Sequence, residues 1–281
     1  MSVLNRIQAK YESMTAMHRK IADYAMKNYS GLVFMTLEDL AAAVGSSTTS
    51  VIRFTRILGF SGYSEFLQEL RSESLQKDSI PSRLQKNRSR QINSSRLQEN
   101  LEHTIKNLSI TANKLSGGCL QEAALIIRDA QRVFVFGSCS MEGVAHYAAS
   151  SLKMVHNNVY RLTGVGGIYA EEFLSVGEGD AVVLFVFPRY EFLLLKLLPL
   201  LKEKQAKIII FTALVYDAIA ELGDVFIPCH LAGLSSRDSL TPIMFAIDCL
   251  SSEVSSLTEF SRLEKLAENM EAMVTKFYCG L

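Results

Sequence analysis

Residues Thr36–Phe60 read TLEDLAAAVGSSTTSVIRFTRILGF, and this stretch decides the fold of the amino-terminal part of the chain. Thr36 and Asp39 predict a capping box for a first helix, whose run of alanines allows a second helix to cross it closely. Gly45 interrupts the helical pattern and can adopt a positive φ at little steric cost. Ser47 is then the expected cap of a second helix. Two short helices joined by a glycine-containing break predict a helix-turn-helix.

The first turns of the second helix carry the candidate DNA contacts. Short hydroxyls and free backbone N–H groups at a helix amino terminus suit phosphates and base edges. Arg53 and Arg56 share a face, and each can hold a phosphate or a guanine edge. We therefore predict double-stranded operator DNA as a partner, contacted by Ser47, Thr48, Thr49, Ser50, Arg53 and Arg56. On these residues alone, a helical bundle with a solvated arginine face remains the alternative.

A polar segment separates this region from the rest of the chain. Between Arg71 and Arg96 the sequence is rich in Ser, Gln, Asn, Lys and Arg and is nearly free of large apolar residues. Such a segment buries too little surface to offset its ordering entropy. We predict a helix-turn-helix domain over residues 1–77, a polar basic linker over 78–98, and an effector-binding and oligomerisation domain over 99–281.

A helix is expected where the polar segment ends. Ser95 and Gln98 predict its capping box, and a glycine pair, Gly117 and Gly118, predicts its end. Apolar residues spaced by three and four positions fall on one face of this helix: Leu101, Ile105, Leu108, Ala112 and Leu115.

Beyond that helix, short apolar runs alternate with segments of helical length. Continuous apolar runs of this kind are typical of a parallel sheet that is covered on both faces. The chain is therefore predicted to be α/β overall, an all-α amino domain followed by a doubly wound domain with a parallel sheet of about five strands. Ligands in such folds bind beyond the carboxyl ends of the strands. The predicted strands are Val133–Phe136, Val159–Leu162, Ala181–Phe187, Lys207–Thr212 and Val225–Pro228.

One of the intervening helices is apolar nearly all round. It is predicted over Glu191–Lys204 and carries seven leucines. Such a helix is usually buried on several sides, which leaves a subunit interface and a core against the sheet as alternatives. Pro199 is expected to kink or shorten it.

Composition limits the class of protein. The chain has 281 residues, 48% of them apolar and 21% charged, with a formal net charge of zero. The five cysteines have no CxxC spacing, so neither a disulfide framework nor a metal site is expected, and no cofactor is indicated. The start, MSVLNRIQAKYESM, lacks the apolar core of a secretory signal, and charges interrupt the apolar stretch Val182–Leu201. We expect a cytoplasmic protein without a membrane partner.

Charge is distributed unevenly along the chain. The first 77 residues carry nine Lys/Arg against seven Asp/Glu, and residues 78–98 carry five against one. Residues 99–281 carry 15 against 21. A mildly basic amino end permits a polyanion partner without requiring one.

The amino-terminal region resembles the helix-turn-helix of the RpiR family, bacterial transcription regulators that respond to sugar phosphates. The family pattern joins an acidic-apolar helix, Gly and Ser to V-x-R-F-x-R-x-L-G-F and then S-G-F/Y-x-E-F/L. The stretch His18–Tyr24 likewise resembles the family's first helix, while Ser50 stands where Thr is more usual. The matching positions are Gly45, Ser47, Val51, Arg53, Phe54, Arg56, Leu58, Gly59, Phe60, Ser61, Gly62, Tyr63 and Phe66.

The resemblance implies that the second domain is a SIS (sugar isomerase) domain, from about Gln121 to Leu257. Its first strand ends at Gly137, and a strand that turns into a helix start gathers N–H groups and hydroxyls for an anion. Cys139 and Met141 replace a usual Gly and Ser. The third strand usually ends in a Ser-Gly-Glu-Thr loop that cradles phosphate, whereas here Pro188-Arg189-Tyr190-Glu191 follows.

The predicted effector site combines three loops. An arginine in the second loop can pair with a carboxylate or phosphate in bidentate fashion. The third loop follows the last strand, and an ordinary helix start is the alternative for it. The predicted contacts are Ser138, Ser140, Arg189, Tyr190, Ser235, Ser236 and Arg237.

Catalysis is not expected. His146, His230 and the pair Glu171-Glu172 are candidates for proton transfer, but none has a convincing partner spacing and no nucleophile triad is present.

We predict a transcription regulator that acts as a homodimer or tetramer, reads a pseudo-palindromic operator, and senses a small anionic metabolite such as a sugar phosphate. The alternatives are a sugar-phosphate isomerase and a SIS domain that acts only in dimerisation.

Overall fold

The computed structural model describes residues 2–33, 35–77, 95–163, 169–187, 192–213, 217–234 and 237–279. The chain divides into two compact units, with the division near residue 90. None of the helices in these ranges combines the length and apolar character that crossing a bilayer requires.

The amino-terminal unit is helical throughout its described residues. Side-chain caps begin several of its helices, since Ser2 accepts a hydrogen bond from the Asn5 N–H at 3.2 Å and Thr15 accepts one from His18. The all-α prediction for this part of the chain is confirmed. Its helices are α1 (Val3–Lys10), α2 (Ala16–Lys27), α3 (Tyr29–Leu32), α4 (Leu37–Ala43), α5 (Thr48–Ile57) and α6 (Tyr63–Lys77).

An aromatic cluster forms the centre of this unit. The rings of Phe54 and Phe60 meet Phe66 edge to face, at centroid distances of 6.2 and 5.5 Å. Tyr63 lies 6.0 Å from the same ring and donates its hydroxyl to the Met35 carbonyl at 3.0 Å. Aromatic pairs in this arrangement are worth about 0.5–1.5 kcal/mol beyond the area they bury. The aromatic positions of the family pattern are thus the core of the unit.

The carboxyl-terminal unit begins with two helices and continues with alternating strands and helices. Its elements are α7 (Arg96–Leu115), α8 (Cys119–Asp129), β1 (Val133–Phe136), α9 (Glu142–Lys153), β2 (Val159–Arg161), α10 (Tyr169–Leu174), β3 (Ala181–Val186), α11 (Phe192–Glu203), β4 (Lys207–Thr212), α12 (Asp217–Ala220), β5 (Val225–Pro228), α13 (Thr241–Leu257) and α14 (Phe260–Val274).

The five described strands form one parallel sheet in the order β2-β1-β3-β4-β5. Every residue of β1 and β3 is buried, as expected for strands that are covered on both faces. Three predicted strands have the predicted bounds, and the other two end one residue earlier, at Arg161 and Val186. The doubly wound fold class is confirmed.

Helix α7 begins at the predicted cap but buries a different face from the apolar one. Ser95 accepts the Gln98 N–H at 3.2 Å, while the Gln98 amide donates to Glu102 and so does not complete a capping box. Of the five apolar residues on the predicted face, only Leu115 is buried. Leu101 and Ile105 are 51% and 53% exposed. The spacing of the apolar residues predicted the position of this helix correctly, but it did not predict which face of the helix is buried.

Two polar side chains anchor α7 to the loop after β5. Asn107 is 1% exposed and donates its amide to the Ala232 carbonyl at 2.6 Å. Thr111 is fully buried and accepts the His230 N–H at 3.0 Å. Because these two side chains are buried, each needs a hydrogen-bond partner, and a buried polar group without one costs about 1–3 kcal/mol. Polar residues therefore occupy the buried face of α7.

Helix α11 packs one face into the protein. Leu194, Leu198 and Leu201 are buried, whereas Leu200 is 54% exposed. Of the two alternatives for this helix, packing against the core of its own unit is therefore correct for the buried face. Pro199 does not end the helix, which continues to Glu203.

The anchor at Asn107 leads to the first prediction. Asn107→Ala removes the hydrogen bond from a buried amide to the Ala232 carbonyl, and we expect the free energy of unfolding of this unit to fall by about 0.5–1.5 kcal/mol. Calorimetry on the full chain measures the loss as a lower transition midpoint for the carboxyl-terminal unit. Ser109→Ala is the matched control on the same helix, because the Ser109 hydroxyl is exposed and bonds only to Ile105 of its own helix. Equal midpoints for the two variants would contradict the anchor.

Candidate functional site

The turn between α4 and α5 is built by its caps and one glycine. Thr36 Oγ1 accepts the Asp39 N–H at 3.1 Å and Asp39 Oδ2 accepts the Thr36 N–H at 2.8 Å, which completes the predicted capping box. Gly45 has a φ of +62°, which an L side chain rarely adopts. The Ser46 N–H then closes α4 by donating to the Ala41 carbonyl at 2.8 Å.

The amino terminus of α5 presents hydroxyls to solvent. Ser47 Oγ caps the helix by accepting the Ser50 N–H at 3.2 Å, and it also lies within hydrogen-bond distance of Ser50 Oγ, at 3.0 Å. Thr48 is half-buried and Thr49 is exposed. The four predicted hydroxyl residues therefore lie together on one turn, with Thr49 the most open to a ligand.

The two arginines of α5 face outward. Val51, Phe54 and Thr55 are buried on the opposite face, while Arg53 and Arg56 are exposed. Arg56 Nε donates to the Ser61 carbonyl at 3.4 Å, which ties it to the turn after α5. Arg53 has no hydrogen-bond or ion-pair partner within the described residues. Its guanidinium is thus the freer of the two for an external anion.

A further cation lies beside this surface and was missed in the sequence. Lys20 on α2 is exposed, and its Nζ lies 3.5 Å from the point where a Cβ on Gly45 would stand. It therefore lies beside the turn between the two helices. Little in the sequence indicated that Lys20 belongs to this surface, because α3 and α4 lie between Lys20 and the turn in the chain.

The turn after α5 is held by a carboxylate. Glu65 accepts the Ser61 N–H at 2.6 Å. A hydrogen bond from the Ser61 hydroxyl, together with this backbone bond, holds the pKa of Glu65 below its ordinary value. Arg6 Nη1 donates to the Leu58 carbonyl at 3.4 Å, and its guanidinium stacks 4.7 Å from the Phe60 ring. These groups fix the end of α5 and leave its first turns exposed.

In the carboxyl-terminal unit, the loop after β1 forms an open turn. A Cβ on Gly137 would lie 2.5 Å from the Met141 carbonyl oxygen, so the close approach of the backbone requires glycine there. Cys139, in place of the family's usual glycine, has a φ of +54°. Ser138 is half-buried and Ser140 is exposed. Within the described part of the chain neither hydroxyl has a hydrogen-bond partner.

The strand order places this loop at the topological switch point. The chain passes from β1 to β2 on one side and returns to β3 on the other, and ligands of sheets with this order bind in the crevice at β1 and β3. The predicted residues Arg189 and Tyr190 follow β3 in sequence but lie outside the described residues. Their strand is the direct neighbour of β1.

The third predicted loop follows β5, at the edge of the sheet. Strand β4 separates β5 from β3. Ser235 and Ser236 lie outside the described residues, while Arg237 is described and exposed. A Cβ on Gly233 would stand 1.9 Å from the Arg237 carbonyl oxygen, which shows a tight backbone crossing at the base of this loop.

Two charged side chains near the end of β2 have definite partners. Arg161, at the end of β2, pairs with Glu142 at the start of α9 at 3.3 Å. This cation beside the switch point was missed, although its place at the end of a predicted strand could have indicated it. Glu172 accepts the Thr163 N–H and hydroxyl at 2.7 and 2.9 Å, so it holds the end of the loop after β2.

The remaining proton-transfer candidates lie on separate elements. His146 is exposed on α9 and His230 follows β5. The described residues contain no group of three or more His, Cys, Asp or Glu side chains placed to hold a metal ion.

Comparison with known protein families gives a match for each unit. The family model described as "Helix-turn-helix domain, rpiR family" matches residues 1–77. The model described as "SIS domain" matches residues 126–251.

Curated bacterial proteins are also similar to this chain in sequence. A Haemophilus influenzae protein named as an uncharacterized HTH-type transcriptional regulator is 30% identical over 156 residues, 55% of this chain and 54% of that protein. A Thermotoga maritima protein of the same name is 23% identical over 56% of each chain. The chain thus spans about half the length of these relatives.

Solved structures share the fold. The Vibrio vulnificus NanR protein, complexed with ManNAc-6P, superposes with a TM-score of 0.65 over 97% of this chain and 98% of that one, at 17% identity. The sugar isomerase domain of an RpiR transcription factor from Sphaerobacter thermophilus covers 64% of this chain and 99% of its own, with a TM-score of 0.59 and 17% identity. By its two family matches, the chain has a helix-turn-helix domain of the rpiR family over residues 1–77, followed by a SIS domain over residues 126–251.

Proposed function

We propose that this protein is a DNA-binding transcription regulator whose SIS domain binds a phosphorylated sugar and thereby changes its affinity for an operator. The observation that carries the proposal is the surface of α5, which exposes Thr49 and Arg53 while its opposite face is buried. A helix with one polar, exposed face and one buried face can place the exposed face in the major groove while the buried face stays in the core of its domain.

The DNA contacts are proposed along the first turns of α5. Ser47, Thr48, Thr49 and Ser50 surround the helix amino terminus, where N–H groups and hydroxyls suit a phosphate. Arg53 is proposed to reach a base edge because no described group competes for its guanidinium. Arg56 and Lys20 are proposed to hold backbone phosphates, since Arg56 is tied to the turn and Lys20 lies on a neighbouring helix.

The effector contacts are proposed at the switch point of the sheet. Two groups support this placement: the hydroxyls of Ser138 and Ser140, which have no partner among the described residues, and Arg161, which pairs with Glu142 two residues after Ser140. NanR of Vibrio vulnificus has been solved with ManNAc-6P, which makes a phosphorylated amino sugar the first ligand class to test here. The remaining proposed contacts are Arg189, Tyr190, Ser235, Ser236 and Arg237.

Two copies of the chain are proposed to act together on DNA. A two-fold protein reads a two-fold site, so we propose a pseudo-palindromic operator. The effector is proposed to bind one arrangement of the two helix-turn-helix domains more tightly than another. Its binding therefore changes the affinity for the operator, typically by about 1–3 kcal/mol.

A sensor without catalytic activity is the proposed role of the SIS domain. Isomerisation requires a general base near the sugar carbons. Glu172 is engaged by two hydrogen bonds from Thr163, and His146 is exposed on a helix. These placements support binding over turnover.

Replacing Arg53 tests the DNA half of the proposal. Arg53→Ala is expected to weaken binding to a selected operator by about 1–3 kcal/mol, roughly 5- to 150-fold, because it removes a bidentate base contact. Fluorescence anisotropy at fixed salt measures the affinity. Arg128→Ala is the matched control, since Arg128 pairs with the adjacent Asp129 in the other unit. Wild-type affinity in Arg53→Ala would remove this residue from the interface.

Thermal stability tests the effector half. N-acetylmannosamine 6-phosphate and other hexosamine phosphates are expected to raise the midpoint of the full chain by mass action, while the same sugars without phosphate are not. Ser138→Ala with Arg189→Ala should abolish the shift, and Ser109→Ala should leave it unchanged. A shift of equal size with unphosphorylated sugars, or one that survives the double substitution, would contradict the proposed site.

A further inference from the structure

An ion pair links the end of β2 to the start of α9. Arg161 Nη1 lies 3.3 Å from Glu142 Oε1, and within the described residues this carboxylate is the only hydrogen-bond or ion-pair partner of the Arg161 side chain. The register pairs Arg161 with Val135 of β1, which shares one core cluster with Val144 of α9. Because register partners point to the same face of a sheet, Arg161 lies on the face that α9 covers.

The pair is weak, so the arginine can change its partner. The Arg161 and Glu142 side chains are 28% and 51% exposed, and they meet through one nitrogen and one oxygen. Exposed pairs of this kind contribute little to stability, because water screens both charges. Arg132 shows the contrast: its guanidinium forms two bonds, of 2.9 and 2.7 Å, with the buried carboxylate of Asp180.

The start of α9 attracts negative charge. The helical turn Cys139–Met141 and α9 itself both begin without a side-chain cap. The hydroxyls of Ser138 and Ser140, which have no partner among the described residues, belong to the same loop. Uncapped N–H groups favour an anion, and Glu142 is the acidic residue in the first turn of α9. Its carboxylate thus brings a negative charge to the loop where the effector is proposed to bind.

We propose that Glu142 is an internal competitor of the effector: it neutralises Arg161 in the free protein, and the phosphate of a phosphorylated sugar displaces it. A phosphate monoester carries a charge of about −1.5 to −2 at pH 7, and it can accept two parallel N–H bonds from one guanidinium. Glu142 carries a single charge and offers Arg161 one oxygen. The phosphate is therefore the stronger partner, and release of Glu142 raises the effector concentration that the protein requires. This role rests on the effector site proposed above.

A purely structural role for Glu142 leads to a different result. An acidic residue in the first turn stabilises a helix, so Glu142→Gln lowers the thermal midpoint of the free chain whether or not the residue competes. Only a competitor also changes the affinity for phosphate, and its loss strengthens binding. Lower stability together with higher affinity is therefore the signature of competition.

Titration calorimetry on the full chain tests the proposal, with inorganic phosphate and N-acetylmannosamine 6-phosphate as probes. Glu142→Gln is expected to tighten binding of both probes by roughly two- to fivefold, which corresponds to the loss of one exposed ion pair. Arg161→Gln is expected to weaken both by at least about tenfold, because it removes charged hydrogen bonds to the phosphate. Circular dichroism checks the fold of each variant, and a gain in affinity cannot arise from misfolding.

Asp129→Asn is the matched control. It removes the same charge from another exposed ion pair of this unit, Arg128–Asp129, and should leave both affinities unchanged. Unchanged or weaker binding in Glu142→Gln would overturn the inference, and so would equal tightening in Asp129→Asn or wild-type affinity in Arg161→Gln. Failure of both probes to bind either the wild type or Glu142→Gln would also overturn it.

Operator binding separates this inference from the proposed function. A sugar phosphate that shifts operator affinity equally in the wild type, Glu142→Gln and Arg161→Gln would overturn the inference and leave the proposed function intact. Phosphate binding that follows the expected pattern without any change in operator affinity would support the inference and contradict the proposed function.

Discussion

The packing of Phe54 into the aromatic cluster of the amino-terminal unit fixes the rotation of α5 about its axis. Phe54 is fully buried and contacts Phe66 edge to face. Because side chains on a helix are spaced by about 100°, burial of Phe54 and Val51 turns Arg53 and Thr49 to solvent. The proposed recognition surface therefore follows from the hydrophobic core, and the aromatic positions of the family pattern orient the residues that are proposed to contact DNA.

The carboxyl-terminal unit obeys a comparable constraint. A parallel sheet with both faces covered leaves ligands only the ends of its strands. The order β2-β1-β3-β4-β5 then selects the loop after β1, where Gly137 permits a tight turn and leaves two serine hydroxyls open. The loop after β5 is tied to α7 by Asn107 and Thr111. One of the three loops proposed to bind the effector is thus bonded to the first helix of its own unit.

Much of this could be predicted from the sequence because the signals were local. The caps at Thr36 and Ser47, the positive φ of Gly45 and all five strands depend on residues close to one another in the chain. The buried face of α7 could not be predicted. Apolar spacing shows which residues share a face, but it does not tell whether the chain's own core or a second copy covers that face. Asn107 is buried because a distant loop needs a donor.

The same difference between local and long-range contacts decides which residues of the candidate sites could be predicted. The α5 residues share one helix, so their grouping was visible in the sequence. Lys20 and Arg161 join their sites through folding contacts between separate elements, and no local pattern indicates such contacts. The effector loops come from three strands, and strand order, which sequence alone did not supply, decides which of them are neighbours.

Footprinting of the full chain on genomic fragments selected by its own binding tests the central claim most directly. The account predicts a protected pseudo-palindrome whose two half-sites lie on one face of the duplex, with a phosphorylated sugar changing the protection. Binding that shows no sequence preference and disappears with moderate salt would reflect charge alone, and would contradict the assignment of this protein as an operator-reading regulator.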